Sequence, residues 1–152
     1  MEAEDFLHAH IPLTRAMGLR VVPHSSGFAV EAPVALNHNH LHTAFGGSIN
    51  AVATLAGYAF LWMELRSRAV HLVILRSSIR FVRPIRANIQ AVCIAPECEQ
   101  IAQFAASLHS GEKARIALHV RVEERGELAA RFAATFAGLT NFATTGNSGA
   151  MV

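Results

Sequence analysis

The chain has 152 residues, 52% of them hydrophobic and 16% charged, which excludes a disordered chain and allows one domain with a substantial core. A net charge of +2 with the histidines neutral makes no demand for nucleic acid. The opening Met-Glu-Ala-Glu-Asp lacks the basic and apolar segments of a secretion signal, and Cys93 and Cys98 are too few for a disulfide framework, so a cytoplasmic protein is expected.

In chain order, Glu2 to His10 reads as a short helix, followed by Ile11-Pro12 and a second turn through Met17. Gly18 marks a break into an extended Leu19 to Val22. Gly27 to Leu36 alternates, with Phe28, Val30, Ala32, Val34 and Leu36 on one face and Glu31 on the other, the period of a half-buried strand. A histidine-rich loop, Asn37 to Ala44, then leads into a helix from about Gly46 to Arg66. Apolar residues cover most of that helix, so other elements should enclose it. Its run from Ile49 to Met63 is short for a bilayer and is interrupted by Asn50, Thr54 and Gly57, so no membrane span is expected.

Val70 to Val82 is β-branched and extended, and Ala87 to Ala95 reads as another strand. Pro96 to His109 is predicted helical: Ile101, Phe104, Ala105 and Leu108 recur at helical spacing behind a first-turn proline, and Ser110-Gly111 supplies the stop. Arg115 to Val122 alternates again, and Glu124-Arg125-Gly126-Glu127 reads as a hairpin turn into a last strand, Leu128 to Leu139. The segment 141–152, rich in Thr, Gly, Asn and Ser, reads as a frayed tail and leaves 1–140 as the domain. This order predicts an α+β fold with an antiparallel sheet and the long helix against one face.

Phe45-Gly46-Gly47-Ser48 sets unhindered backbone N–H groups at a helix N-terminus, where unpaired amides and the helix dipole favour negative charge. From Ala32 to Met63 there is no Asp or Glu, and Glu31 and Glu64 are the nearest carboxylates. Paired-carboxylate catalysis therefore finds no support in this segment. Neutral donors remain: Asn37 or Asn39, the Gly46 and Gly47 amides, Ser48 and Thr54. Thr54 follows Asn50 by four residues, which fits either a shared helix face or a threonine bonded to its own helix backbone. His38, His40 and His42 alternate as zinc ligands would on an extended segment, yet no Asp or Cys joins them, so they are read as loop histidines and no metal is expected. Arg76, Arg80, Arg83 and Arg86 are either ordinary surface arginines or a landing site for a phosphorylated or acidic partner. Cys93 reads as a small buried hydrophobe.

The element order resembles the hotdog fold, a curved antiparallel sheet wrapped around a long central helix. Leu36-Asn37…Ala44-Phe45-Gly46-Gly47-Ser48 resembles the active-site loop and helix start of hotdog thioesterases, and Ile79-Arg80-Phe81-Val82-Arg83-Pro84 resembles the end of their third strand. The helix Pro96 to His109 before the strand Ala114 to Val122 is similar to the YiiD C-terminal-domain type. The resemblance implies activity on acyl thioesters of coenzyme A or acyl carrier protein, without a cofactor. It also implies an obligate homodimer, or a dimer of dimers, with pockets at the subunit interface. Phenylacetyl-thioesterase relatives carry a histidine before the glycine pair and an acidic residue along the helix, where this chain has Phe45 and Thr54. Their loop asparagine falls on Asn39 by spacing, with Asn37 as the alternative. The site expected from this resemblance comprises Asn37, Asn39, Gly46, Gly47 and Thr54 as catalytic residues, with His42, Phe45, Ser48, Arg80 and Arg83 binding substrate. Thioester hydrolysis is the first expectation. Some relatives decarboxylate malonyl carrier protein to start fatty acid synthesis, and a carboxylate-free site suits that reaction too, because its first step needs no base. A non-catalytic acyl-binding hotdog is the third reading.

Overall fold

The computed structural model describes residues 2–66 and 70–140. The tail expected over 141–152 lies outside them. The elements are α1 (Glu2–His10), α2 (Leu13–Ala16), β1 (Arg20–His24), β2 (Gly27–Pro33), α3 (Val34–Asn37), α4 (Gly46–Leu65), β3 (His71–Phe81), β4 (Asn88–Ile94), α5 (Cys98–His109), β5 (Ala114–Glu124) and β6 (Glu127–Leu139). All strand pairings are antiparallel, in the order β1-β2-β4-β5-β6-β3. Because β4, β5 and β6 lie between β2 and β3, the chain must cross the sheet between those two strands. Helix α4 makes the crossing and touches β2, β4, β5, β6 and β3. This is the hotdog arrangement.

Burial explains why α4 sits where it does. Ile49, Val52, Ala53, Leu55, Ala56, Ala59, Phe60 and Leu61 are all buried. At Gly57 the helix comes so close to the sheet that an added Cβ would stand 3.0 Å from the Phe136 ring. On β5 the alternation is regular: Ile116, Leu118, Val120 and Val122 are buried, while Arg115, Ala117, His119 and Arg121 are exposed. The β5–β6 hairpin closes through Arg125 at φ 51° and Gly126 at φ 80°, the paired left-handed geometry of a two-residue turn that suits the strand twist.

Two local expectations change. The strand expected to run on to Leu36 ends at Pro33, and Val34–Asn37 forms a helical turn instead. The Asn37 amide caps that turn from inside by donating to Pro33 O at 2.8 Å, and Leu36 faces solvent. The proline expected in the first turn of α5 precedes the helix. Glu97 is the N-cap, and its side chain and that of Gln100 form a reciprocal capping box.

Glu124 ties the β5–β6 hairpin to the chain before β4. Its Oε1 accepts from Arg86 N and Ala87 N at 2.7 and 2.6 Å. Partial burial raises its pKa, but those two N–H groups and the charges of Arg83 and Arg125 outweigh it and hold the carboxyl below its ordinary value. Because the folded pKa is depressed, the stabilisation is complete above the ordinary carboxylate range and disappears as pH falls through the lowered value. Glu124→Gln is expected to melt below the parent at neutral pH, with the two melting curves converging on acidification.

Candidate functional site

The loop after α3 is a closed turn rather than an extended segment. Asn39 Oδ1 accepts from Leu41 N at 2.9 Å and Thr43 N at 3.2 Å, and Asn39 N donates to Thr43 O at 2.8 Å. His42 takes a left-handed φ of 57°, which brings its ring to 5.2 Å from that of His38, so the three histidines do not alternate along one side. Among the described residues, no group of three or more His, Cys, Asp or Glu side chains is placed to hold a metal ion. Ala44 N donates to Ile85 O and Phe45 N to Asn37 O, at 2.8 and 2.7 Å, fixing the chain as it turns into α4.

The start of α4 has no side-chain cap. Phe45 is the N-cap, and Ile49 N, donating to Phe45 O at 3.0 Å, makes the first helical bond. Among the described residues, no acceptor takes up the N–H groups of Gly46, Gly47 or Ser48. Two aromatic rings collar these amides. An added Cβ at Gly46 would lie 3.2 Å from Phe81 Cζ, and one at Gly47 would run into the Phe45 ring. Both rings are about half exposed, so a bound molecule can reach them and the amides together. The sequence shows a sign of Phe81's position: it follows Ile79 by two and shares its face of β3, toward the helix.

The two asparagines separate cleanly. Asn37 is buried, and its Nδ2 donates to Met17 O at 2.9 Å and Pro33 O at 2.8 Å. Both of its N–H groups are thus spent on the backbone, and none is left for a substrate carbonyl. Asn39 is half-buried, and its Nδ2 makes one bond, to Thr43 Oγ1 at 3.0 Å. One N–H of Asn39 remains.

Thr54 takes the backbone option. Its Oγ1 donates to Asn50 O at 2.9 Å, which leaves only acceptor lone pairs facing outward. Eight residues of helix also separate it from Gly46, about 12 Å at 1.5 Å per residue. Thr54 therefore does not reach a carbonyl held at the start of its own helix.

The arginine run disperses. Phe81 faces α4, so Arg80, its neighbour on β3, projects from the opposite face of the sheet and not toward the glycine pair. Arg83 is tied to the β5–β6 hairpin, donating to Glu124 O at 3.2 Å and pairing with Glu127. These placements set both arginines away from the glycine pair. Burial pushes the Cys93 thiol up to about 12, so it stays protonated at neutral pH and serves as core.

A cavity of about 1160 Å³ lies toward the other end of α4, lined among others by Phe6, Tyr58, Trp62, Met63 and Leu72. Phe6 stacks on Trp62 at 4.7 Å. The glycine pair does not line this cavity. Among the described residues, no helix is long and apolar enough to cross a membrane.

Comparison with known proteins adds to this geometry. The family model described as "Putative thioesterase (yiiD_Cterm)" matches residues 1–140. A protein of unknown function from Chlorobaculum tepidum is 26% identical, with a TM-score of 0.83, covering 92% of this chain and 93% of its own. A thioesterase, named putative, from Shewanella oneidensis is 26% identical, with a TM-score of 0.80 over 91% of this chain and 95% of its own. A Pseudomonas aeruginosa protein described as a probable thioesterase shares the fold, with a TM-score of 0.77 at 24% identity over 92% and 95% of the two chains.

Proposed function

This chain belongs to the YiiD C-terminal family of thioesterases, and from that premise we propose that it hydrolyses acyl thioesters of coenzyme A or acyl carrier protein in the cytoplasm. The observation that carries the reading is the uncapped start of α4, where the Gly46 and Gly47 amides stand free inside the collar of Phe45 and Phe81. Water adds to the carbonyl carbon, and the C=O oxygen becomes an oxyanion. The two amides, the helix dipole and the remaining Asn39 N–H hold that charge. A loop imidazole, His38 or His42, accepts the proton of the attacking water. The oxyanion then collapses, the C–S bond breaks, and the thiolate leaves and takes up a proton.

A thiol-release assay over coenzyme A thioesters of increasing chain length tests this. Turnover is expected, and Asn39→Ala should lower kcat by roughly 10²-fold if it supplies one oxyanion donor. Substrate saturation should not rescue that loss. Undiminished kcat in Asn39→Ala would remove Asn39 from the mechanism. Absence of thiol release across the range would remove hydrolysis of coenzyme A thioesters. Decarboxylation of a malonyl thioester has one observation in its favour, the lack of any carboxylate from Ala32 to Met63.

The working unit we propose is a homodimer joined along β3, or a dimer of such dimers. Strand β3 is a sheet edge 11 residues long, with Val73, Ile74, Leu75 and Phe81 all exposed on it. Long apolar edges favour pairing with another strand. Light scattering is expected to give a dimer or tetramer mass for the parent and a monomer mass for the double variant Ile74→Lys, Leu75→Lys. A monomeric parent would refute this.

A further inference from the structure

Three arginines stand in one row across the sheet. The register sets Arg80 on β3 opposite Arg131 on β6, and Arg131 opposite Arg121 on β5. Directly opposed residues project from the same face, on strands about 4.8 Å apart. Like charges placed this way destabilise a sheet, and here the arrangement occurs twice in succession. All three side chains are exposed. Arg121 has a carboxylate nearby, Glu123 Oε2 at 3.4 Å, and His24 contacts the other oxygen of that carboxylate at 3.1 Å. Among the described residues, no carboxylate pairs with Arg80 or Arg131.

Beside the row is a pocket of about 270 Å³, walled by His119, Arg121 and Arg131, with Ile94 and Leu128 supplying apolar surface. Ile94 is 49% exposed, so that surface is open to a ligand. The volume lies just under the range of small-molecule sites, roughly 300–1,000 Å³. Guanidinium groups match phosphate oxygens in a two-pronged geometry, and a phosphate dianion would relieve the repulsion along the row. We propose that this face of the sheet binds the phosphate ester of a small molecule. Arg121 and Arg131 hold the phosphate, Arg80 adds a third positive charge, and the planar or apolar part of the ligand lies on Ile94 and Leu128. The inference stands apart from thioester hydrolysis, because binding is read without turnover.

Such a phosphate reaches the protein either on coenzyme A or on a free nucleotide. Isothermal titration of the purified protein with adenosine 3′,5′-bisphosphate, coenzyme A and dephospho-coenzyme A distinguishes the sources. Binding of the bisphosphate is expected, weakened about tenfold by Arg131→Ala or Arg121→Ala and weakened further by salt. Coenzyme A binding as tightly as the bisphosphate, and more tightly than dephospho-coenzyme A, would identify the coenzyme as the source. Bisphosphate binding without coenzyme A binding would identify a free nucleotide. Absence of binding by all three compounds would overturn the proposal, as would affinity unchanged in an Arg131→Ala protein of normal melting temperature. A protein that binds but hydrolyses no thioester would sink the hydrolysis reading alone.

Discussion

Gly46→Pro is expected to lower kcat by about 10²–10³-fold, the usual effect of removing one oxyanion donor. Proline is well tolerated as the first residue of a helix, and Gly46 holds that position in α4. Phe45, at φ −68° and ψ 133°, already has the extended conformation that a residue before proline prefers. The substitution therefore deletes an N–H group while leaving the helix intact. It also adds a Cβ facing Phe81, whose half-exposed ring can yield. Gly46→Ala adds the same Cβ and keeps the N–H, so it should retain most of the activity. Steady-state kcat for the two variants, with helix content checked by circular dichroism, separates the amide from the space it occupies. Equal rates in both would remove the Gly46 amide from the mechanism.

Phe136→Ala is expected to cost about 3–5 kcal/mol of folding stability, as large-to-small changes of buried aromatics do. That is a large share of the roughly 5–15 kcal/mol typical of a whole domain. Phe136 is fully buried, sits between Ile74 and Ile116 on the neighbouring strands, and supports α4 where Gly57 brings the helix closest. Helix α4 spans five strands, so it cannot settle into the cavity without losing contacts elsewhere. Urea unfolding should show a lower midpoint with an unchanged slope. A loss below about 1 kcal/mol would mean the core collapses around the missing ring.

How far the sequence foretold these features depends on the distance over which each is specified. The alternation of Arg115 to Val122 and the apolar circumference of α4 are local, and both elements appear where their periods place them. The pairing of β3 with β6 is not local. Ile79 meets Phe132 across more than fifty residues, and no short-range pattern specifies that contact. The same distinction governs the site. Phe45-Gly46-Gly47 signals a bare helix start through its own residue types, and such a start is found. The bonds that occupy the Asn37 amide go to the Met17 and Pro33 carbonyls, twenty and four residues before it, and the first of these no local pattern specifies. Arg76, Arg80, Arg83 and Arg86 are close in sequence, but strand alternation and the β5–β6 hairpin send Arg80 and Arg83 to different places. Arg121 and Arg131 join Arg80 only through the sheet register.

The central claim is that a thioester bound at the start of α4 is cleaved at its C–S bond. Intact-mass analysis of malonyl-carrier protein and longer acyl-carrier proteins, incubated with the purified protein, tests it most directly. The account predicts a carrier with a free thiol and release of the corresponding acid. Conversion of malonyl-carrier to acetyl-carrier with the thioester intact, or a bound acyl-carrier of unchanged mass, would contradict it.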